Sequence, residues 1–179
     1  MHDWRNIAEE HGPLVWRVAF RVLQDADDAA DCHQEVFVDA MRRTSGKSID
    51  DWPAFLRWLT VRRAIDRLRC RQRDQKHIDS DQMMSDLPLP ASAEGDAEWN
   101  VLIDVIRSEL TKIPDPQAQV FWLHCVEEVS LNDISMQLET SVNHIRVLLH
   151  RSRSRLRAVL QRDHPSLIEN RGNERTGFN

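Results

Sequence analysis

Apolar residues recur at helical spacing in block after block, and short polar breaks with helix-capping chemistry separate the blocks. Leu14, Val15, Val18, Ala19, Val22 and Leu23 keep to steps of three and four, and so do Ala29, Cys32, Val36 and Ala40, with Phe37 and Met41 beside them. The break between these two blocks, QDADD (24–28), puts acids where a helix N-terminus favours them. TSGKSIDD (44–51) makes the next break. Asp51 followed by Pro53 supplies a capping side chain and then a Pro in the first turn, which predicts a long helix running to about Arg73. Phe55, Leu56, Trp58, Leu59, Val61, Ile65 and Leu68 give that helix its apolar faces. Residues 77–97 lose the periodicity and turn to Met, Ser, Pro, Ala and acids, which reads as a linker, extended around Leu87–Pro90. Val101, Leu102, Val105, Ile106, Leu110 and Ile113 then form a helix that Pro114 ends, and Asp115-Pro116 predicts a cap and a restart. The next buried stripe is Ala118, Phe121, Trp122, Cys125 and Val126. Ser130 to Asp133 resembles a capping box for a short helix through Leu138, and Ser141 caps a last, long helix.

Only 5 Gly and 7 Pro occur in 179 residues, and there is no Tyr, which argues for helices over a strand-rich sandwich. The expectation is an all-α chain of two small helical domains joined by an acidic linker, the second a helix-turn-helix domain. The boundaries read as 1–76, a linker over 77–97, a second domain over 98–162 and a polar tail over 163–179. Cys32, Cys70 and Cys125 are odd in number, far apart and form no CxxC pair, so they read as reduced thiols of a cytoplasmic protein. The N-terminus lacks the basic-then-apolar order of a signal peptide, and no apolar run reaches the roughly 20 residues of a membrane helix. No membrane insertion is expected.

The formal net charge of −5 conceals blocks of opposite sign. Asp25, Asp27, Asp28, Asp31, Glu35 and Asp39 form an acidic run with no Lys or Arg inside it. Arg57 to Lys76 holds eight bases against two acids, Asp79 to Asp104 is acidic without a base, and Ser141 to Arg162 holds six arginines and no acid. Solvated helix faces usually mix signs, so two basic blocks separated by acidic ones point to two surfaces that face a polyanion.

The last two helices have the helix-turn-helix form, in which the first helix braces and the second lays its N-terminal side chains in the major groove. On a helical wheel Val142, Ile145, Leu149, Leu156 and Leu160 share one side and must pack inward. Arg146, His150, Arg153 and Arg157 form a neighbouring stripe, and Asn143, His144 and Val147 project near the N-terminal end. Asn suits an adenine edge, Arg a guanine edge or a phosphate, and Val a thymine methyl. A partner-binding basic helix is the plainer alternative; the turn and caps argue against it. In the long helix of the first half, aromatics interleave with arginines, a composition suited to phosphate contact with base stacking. Trp58, Arg62 and Arg63 are the candidates there, Phe55 reads as core, and Asp66 reads as a counter-charge for Arg62 or Arg63.

Other chemistry lacks its residues. Asp27, Asp31 and Glu35 line up at i, i+4, but a carboxylate row on an exposed helix is more often solvated or partner-facing than metal-binding. Gly46-Lys47-Ser48 ends like a phosphate loop, yet Met41 stands where that loop needs glycine. His33 and His124 lack companion ligands, and no nucleophile elbow is present. No catalytic residue, metal or cofactor is expected.

The order DADDAADCHQEVF (25–37), WPAFLRWLTVRRAIDRLR (52–69), acidic linker, and IPDPQAQVFWLHCVEEVSLNDISMQLETSVNHIRVLLHRSRSRLRAVL (113–160) resembles the extracytoplasmic-function (ECF) group of bacterial sigma factors, over roughly residues 8–161. Asp31, Gln34, Glu35 and Phe37 match one family element, and Ala64, Ile65, Asp66 and Arg69 another. The resemblance implies a factor that binds core RNA polymerase and directs it to promoter DNA, with an anti-sigma factor as an admissible further partner. Asp31, Gln34 and Glu35 would dock on the coiled coil of the largest catalytic subunit. Lys47, Trp58, Arg62, Arg63 and Arg67 would meet the minus-ten element, where the family captures a base beside the 44–51 loop. Ser141, Asn143, His144, Arg146, Val147, His150, Arg151 and Arg153 would meet the minus-thirty-five element. The acidic linker would follow the polymerase toward the RNA exit path. The chain departs from the family at Phe55 (often Trp), Arg62 (often Asn), Asn143-His144 (commonly Gly-Thr) and Val147-Leu148 (commonly Ser-Arg), and Leu148 can make no phosphate contact. The alternative is a stand-alone helix-turn-helix regulator that never touches polymerase.

Overall fold

Asp3, Asp25 and Asp51 begin the first three helices in the same way: each side-chain oxygen accepts the backbone N–H three residues on, at 3.2, 2.9 and 2.9 Å. The structure, a computed structural model, describes residues 3–45, 48–78, 97–163 and 165. Lys47, most of the expected linker and nearly all of the expected tail lie outside the described residues.

α1 spans Trp4–Leu23, ten residues earlier than the apolar stripe suggests, because Asp3 caps it and Ile7 is buried. It ends at Gln24 in the left-handed region (φ 52°), whose N–H returns to the Phe20 carbonyl. α2 spans Ala26–Arg43, with Asp27 and Asp28 in its first turn and Arg42 and Arg43 in its last, as the helix dipole favours. Gly12 of α1 lets the two helices approach closely, since a Cβ there would stand 3.3 Å from His33 Nε2. α3 spans Trp52–Ile78 and so runs past the predicted end near Arg73. Val15, Val18, Ala19, Val22 and Leu23 of α1 meet Ala29, Cys32, Val36 and Ala40 of α2 and Leu56, Leu59, Val61, Ala64 and Ile65 of α3 in one apolar core. Burial pushes the Cys32 thiol up to about 12, so it is inert at neutral pH. All three cysteines are free.

The second half contains α4 (Ala97–Leu110), α5 (Asp115–Cys125), α6 (Leu131–Gln137) and α7 (Val142–Asp163). α5 packs against α7 on one side and against α3 of the first half on the other. That is why Ala118, Gln119, Val120, Phe121, Trp122 and Leu123 are all buried where the sequence predicts a single stripe. The two halves consequently share one continuous apolar cluster. Asp115 is not the cap of α5: the cap position is Pro114, without a side-chain bond, and the Asp115 carboxylate pairs with Arg69 instead. Ser130 does cap α6, accepting the Asp133 N–H at 3.1 Å and donating to the Asp133 carboxylate at 2.6 Å. A tight turn through Glu139 (φ 48°) leads to Ser141, which accepts the His144 N–H at 3.2 Å and starts α7.

Trp122 is wholly buried at the centre of this arrangement. Trp122→Ala should lower unfolding free energy by about 3–5 kcal/mol, the usual cost of an emptied aromatic site. Denaturant titration followed by helical circular dichroism measures it.

Candidate nucleic-acid interface

α7 divides much as its wheel predicts, except that Leu148 and Ser152 join the buried side and Val142 and Leu160 are only half-buried. Ile145, Leu149 and Leu156 are buried, and Leu148 is buried with them. Leu148 therefore belongs to the core and offers nothing to a DNA backbone. Ser141, Asn143, His144, Arg146, Val147, His150, Arg151 and Arg153 are all exposed. Arg146 donates to the Asn143 Oδ1 at 3.0 Å, which fixes these two side chains relative to each other. Arg153 reaches the Cys125 sulfur at 3.4 Å. An open cleft of about 410 Å³ runs between α5 and α7, and His124, Arg146, His150, Arg153 and Arg157 line it with no acid among them. Apart from Arg162, which pairs with Asp163, no arginine of α7 makes an ion pair among the described residues.

The arginines of α3 behave differently. Arg67 donates to Asp28 at 3.0 Å, to Asp31 at 3.3 Å and to Glu35 at 3.0 Å, so its guanidinium is turned toward α2. Partial burial works against its charge, but these three carboxylates outweigh that and raise its pKa. Arg71 also pairs with Asp28, at 3.0 Å. Arg63 and Arg43 share Asp39, at 2.9 and 3.0 Å. Asp66 pairs with Arg69 at 3.6 Å, and neither Arg62 nor Arg63, its expected partners, is paired with it. Arg62 instead lies over the Trp58 ring at 5.8 Å, and Arg43 lies at the same distance. Trp58 and Phe55 are both half-buried, with ring centroids 6.0 Å apart. Asp31, Gln34 and Glu35 remain exposed on α2, beside a cleft of about 570 Å³ that Val38, Asp39, Arg42 and Arg63 also line.

Three participants escaped the sequence reading of the site. Asp28 and Asp39 were visible only as members of an acidic run, although Asp39 and Arg43 stand at the i, i+4 spacing of an ion pair. Arg43 as a neighbour of Trp58 depends on the packing of α2 on α3, which no local spacing announces.

Two family models match the chain. Sigma-70 region 2 matches residues 7–74, and Sigma-70, region 4 matches residues 103–156. The chain belongs to the sigma-70 family. Its pairing of region 2 with region 4 makes it a sigma factor of the ECF type, a transcription initiation factor that binds core RNA polymerase and promoter DNA. Among solved structures it is similar to the sigma factor RpoE in complex with the anti-sigma factor NepR from Bartonella quintana, at 18% identity and a TM-score of 0.55, over 92% of this chain and 100% of that one. At that identity the likeness is one of fold. No helix among the described residues is long and apolar enough to cross a membrane.

The Asp39 pair carries a pH signature. Burial would raise its pKa, but hydrogen bonds from Arg63 and Arg43 prevail and hold it below its ordinary 3.8. Its stabilising contribution is thus complete above the unfolded value and disappears as pH falls through the lower folded one. Asp39→Asn should lower the denaturation midpoint at pH 7, and the gap from the parent should shrink toward pH 3. A gap independent of pH would show that charge is not the cause.

Proposed function

We propose that this sigma factor divides its work among three helices. α2 carries the polymerase-docking row Asp31, Gln34 and Glu35. α3 carries the minus-ten face around Trp58, Arg62 and Arg63, with Lys47 in the preceding loop. α7 reads the minus-thirty-five element with Ser141, Asn143, His144, Arg146, Val147, His150, Arg151 and Arg153. The observation that carries this reading is the exposed face of α7. Its arginines lack carboxylate partners among the described residues, apart from Arg162, while its apolar side is packed away. Such a helix suits a groove lined by phosphates. At Arg67 the reading shifts: its donors meet Asp28, Asp31 and Glu35, so it serves the docking row as a positioning residue and leaves strand contact to Trp58, Arg62 and Arg63.

The factor acts in the cytoplasm and carries out no covalent chemistry. It needs no cofactor or metal, and strand separation draws on binding energy. An anti-sigma factor is a further partner of the class that the RpoE crystal contains.

Two outcomes test the division. Asp31→Lys with Glu35→Lys should weaken core polymerase binding about tenfold or more, while affinity for duplex DNA stays unchanged. Undiminished polymerase affinity in a pull-down or anisotropy titration would sink the docking assignment. Arg146→Ala should lose about 1–3 kcal/mol and relax preference at one base pair, as seen by selecting promoters from a genomic library. A uniform loss across sequences would instead assign Arg146 to phosphate.

A further inference from the structure

The cleft between α5 and α7 gathers positive charge that nothing around it cancels. His124 of α5 lines it together with Arg146, His150, Arg153 and Arg157 of α7, and Leu131 and Leu149 supply its apolar part. The cleft between α2 and α3 also gathers arginines, namely Arg42, Arg63 and Arg67, but there Asp31, Glu35 and Asp39 share the lining. In the α5–α7 cleft the printed partners are neutral. The Asn143 amide oxygen holds Arg146, and the Cys125 sulfur meets Arg153. Such contacts aim a guanidinium without reducing its charge. The acids nearest in sequence are engaged or directed elsewhere. Glu127 pairs with Arg21, Asp133 accepts the Ser130 hydroxyl, and neither they nor the exposed Glu128 line the cleft. α6 contributes only Leu131, while α3 and α4, which pack on α5 and α7, contribute no lining residue. Crowded cations repel one another, and an anion placed among them relieves that repulsion.

His124 adds chemistry that the arginines lack. Its Nδ1 lies 2.9 Å from the Val129 carbonyl oxygen. A carbonyl can only accept, so Nδ1 carries a hydrogen and Nε2 is the remaining polar atom of the ring. On a neutral ring Nε2 is an acceptor and would meet an anionic oxygen lone pair to lone pair. On a protonated ring it donates a charge-assisted hydrogen bond. An anion in the cleft therefore favours a proton on His124. His150 faces the same cations and follows the same rule.

We propose that the α5–α7 cleft is a proton-linked phosphate seat, in which Arg146, Arg153 and Arg157 supply permanent charge and His124 supplies a donor only when protonated. The inference deepens the reading of α7 as a DNA-binding helix and rests on it, adding Arg157 and a residue of the bracing helix α5 to the contact surface. The ligand is a phosphate ester or anhydride, reaching the cleft from the backbone of bound duplex or as a free polyphosphate. An imidazole changes charge between about pH 5 and 8. Above that window binding must draw a proton from solution, and within it the proton is increasingly in place beforehand. Affinity thus rises as pH falls through the window and levels off below it.

Two probes test the full chain: a fluorescein-labelled DNA duplex of random sequence, read by anisotropy, and sodium tripolyphosphate, read by calorimetry. Calorimetry in buffers of different ionisation enthalpy also counts the protons taken up. At least one probe should bind the parent more tightly at about pH 6 than at about pH 8, with net proton uptake. For that probe His124→Gln should match the parent within about twofold at the higher pH and lag it about fivefold at the lower. Arg157→Gln should lag about fivefold at both and, with the duplex, flatten the salt slope by about one. Arg155→Gln removes the same charge from the exposed face of α7 outside the cleft and should cost less than about twofold. Far-UV circular dichroism at both pH values confirms that each variant is folded. Effects on the duplex alone place a backbone phosphate in the seat, and effects on tripolyphosphate place a free polyphosphate there; either supports it. Coincident pH profiles for the parent and His124→Gln would overturn the proton link. Equal losses for Arg157→Gln and Arg155→Gln, or no binding of either probe, would overturn the seat. The α7 reading fails separately, if Arg146→Ala polymerase holoenzyme selects promoters as the parent does.

Discussion

An arginine that leaves solvent must find oxygens, and the oxygens available on each side of α3 decide what that side can do. Toward α2 the helix presents Arg63, Arg67 and Arg71, and α2 answers with Asp28, Asp31, Glu35 and Asp39. Toward α4 it presents Arg69, and the end of that helix answers with three carbonyls. Toward α5 and α6 the same Arg69 meets the Asp115 carboxylate, and further along α3 presents Ala54, Arg57 and Trp58 to a mostly apolar lining that includes Asp133. The apolar core of the first half needs α2 and α3 to cross in one register. The carboxylate row supplies that register, because a slip of one turn would leave buried or half-buried charges unpaired.

Much of this was legible in the sequence where the physics is local. Helix existence followed from apolar spacing, and three starts followed from side chains that reach three residues ahead, those of Asp51, Ser130 and Ser141. The exposed face of α7 followed from its wheel, since burial of Ile145, Leu149 and Leu156 leaves little choice for the rest. Reading failed where a distant partner outcompetes a near one. Asp115 has the spacing of a cap, yet Arg69 approaches from another helix and takes its carboxylate. Asp66 was expected to neutralise Arg62 or Arg63, but Asp39 holds Arg63 and the Trp58 ring holds Arg62. α5 was read with one stripe because a sequence shows one helix at a time, and its second buried face exists only through contact with α3.

The same distinction applies to the site. Asp31, Gln34 and Glu35 could be named from a family element, and the structure adds that two of them already hold a cation. That pairing changes how a partner would meet the row. A docking surface must either displace Arg67 or accept it as part of the contact, and displacement would return a half-buried guanidinium to water without its carboxylates. Accepting it leaves the outer oxygens of Asp31 and Glu35, which are more than half exposed, free for the partner.

The two basic blocks of the sequence therefore differ in kind. Half of the block in α3, namely Arg63, Arg67, Arg69 and Arg71, is neutralised within the molecule, by Asp28, Asp31, Glu35, Asp39, Asp66 and Asp115. What it can offer a DNA strand is a half-buried indole flanked by Arg43 and Arg62, a surface suited to stacking on an unpaired base more than to drawing in a phosphate backbone. The block in α7 keeps most of its charge facing solvent, so the long-range attraction between this acidic protein and DNA resides there. On the proposed division, attraction at α7 and stacking at α3 would be complementary: one would gather duplex DNA from a distance and with strong salt dependence, the other would act only once bases have separated. A net charge of −5 is compatible with DNA binding because α7 carries six arginines with no acid before Asp163, while most acids of α2 are taken up by arginines of α2 and α3.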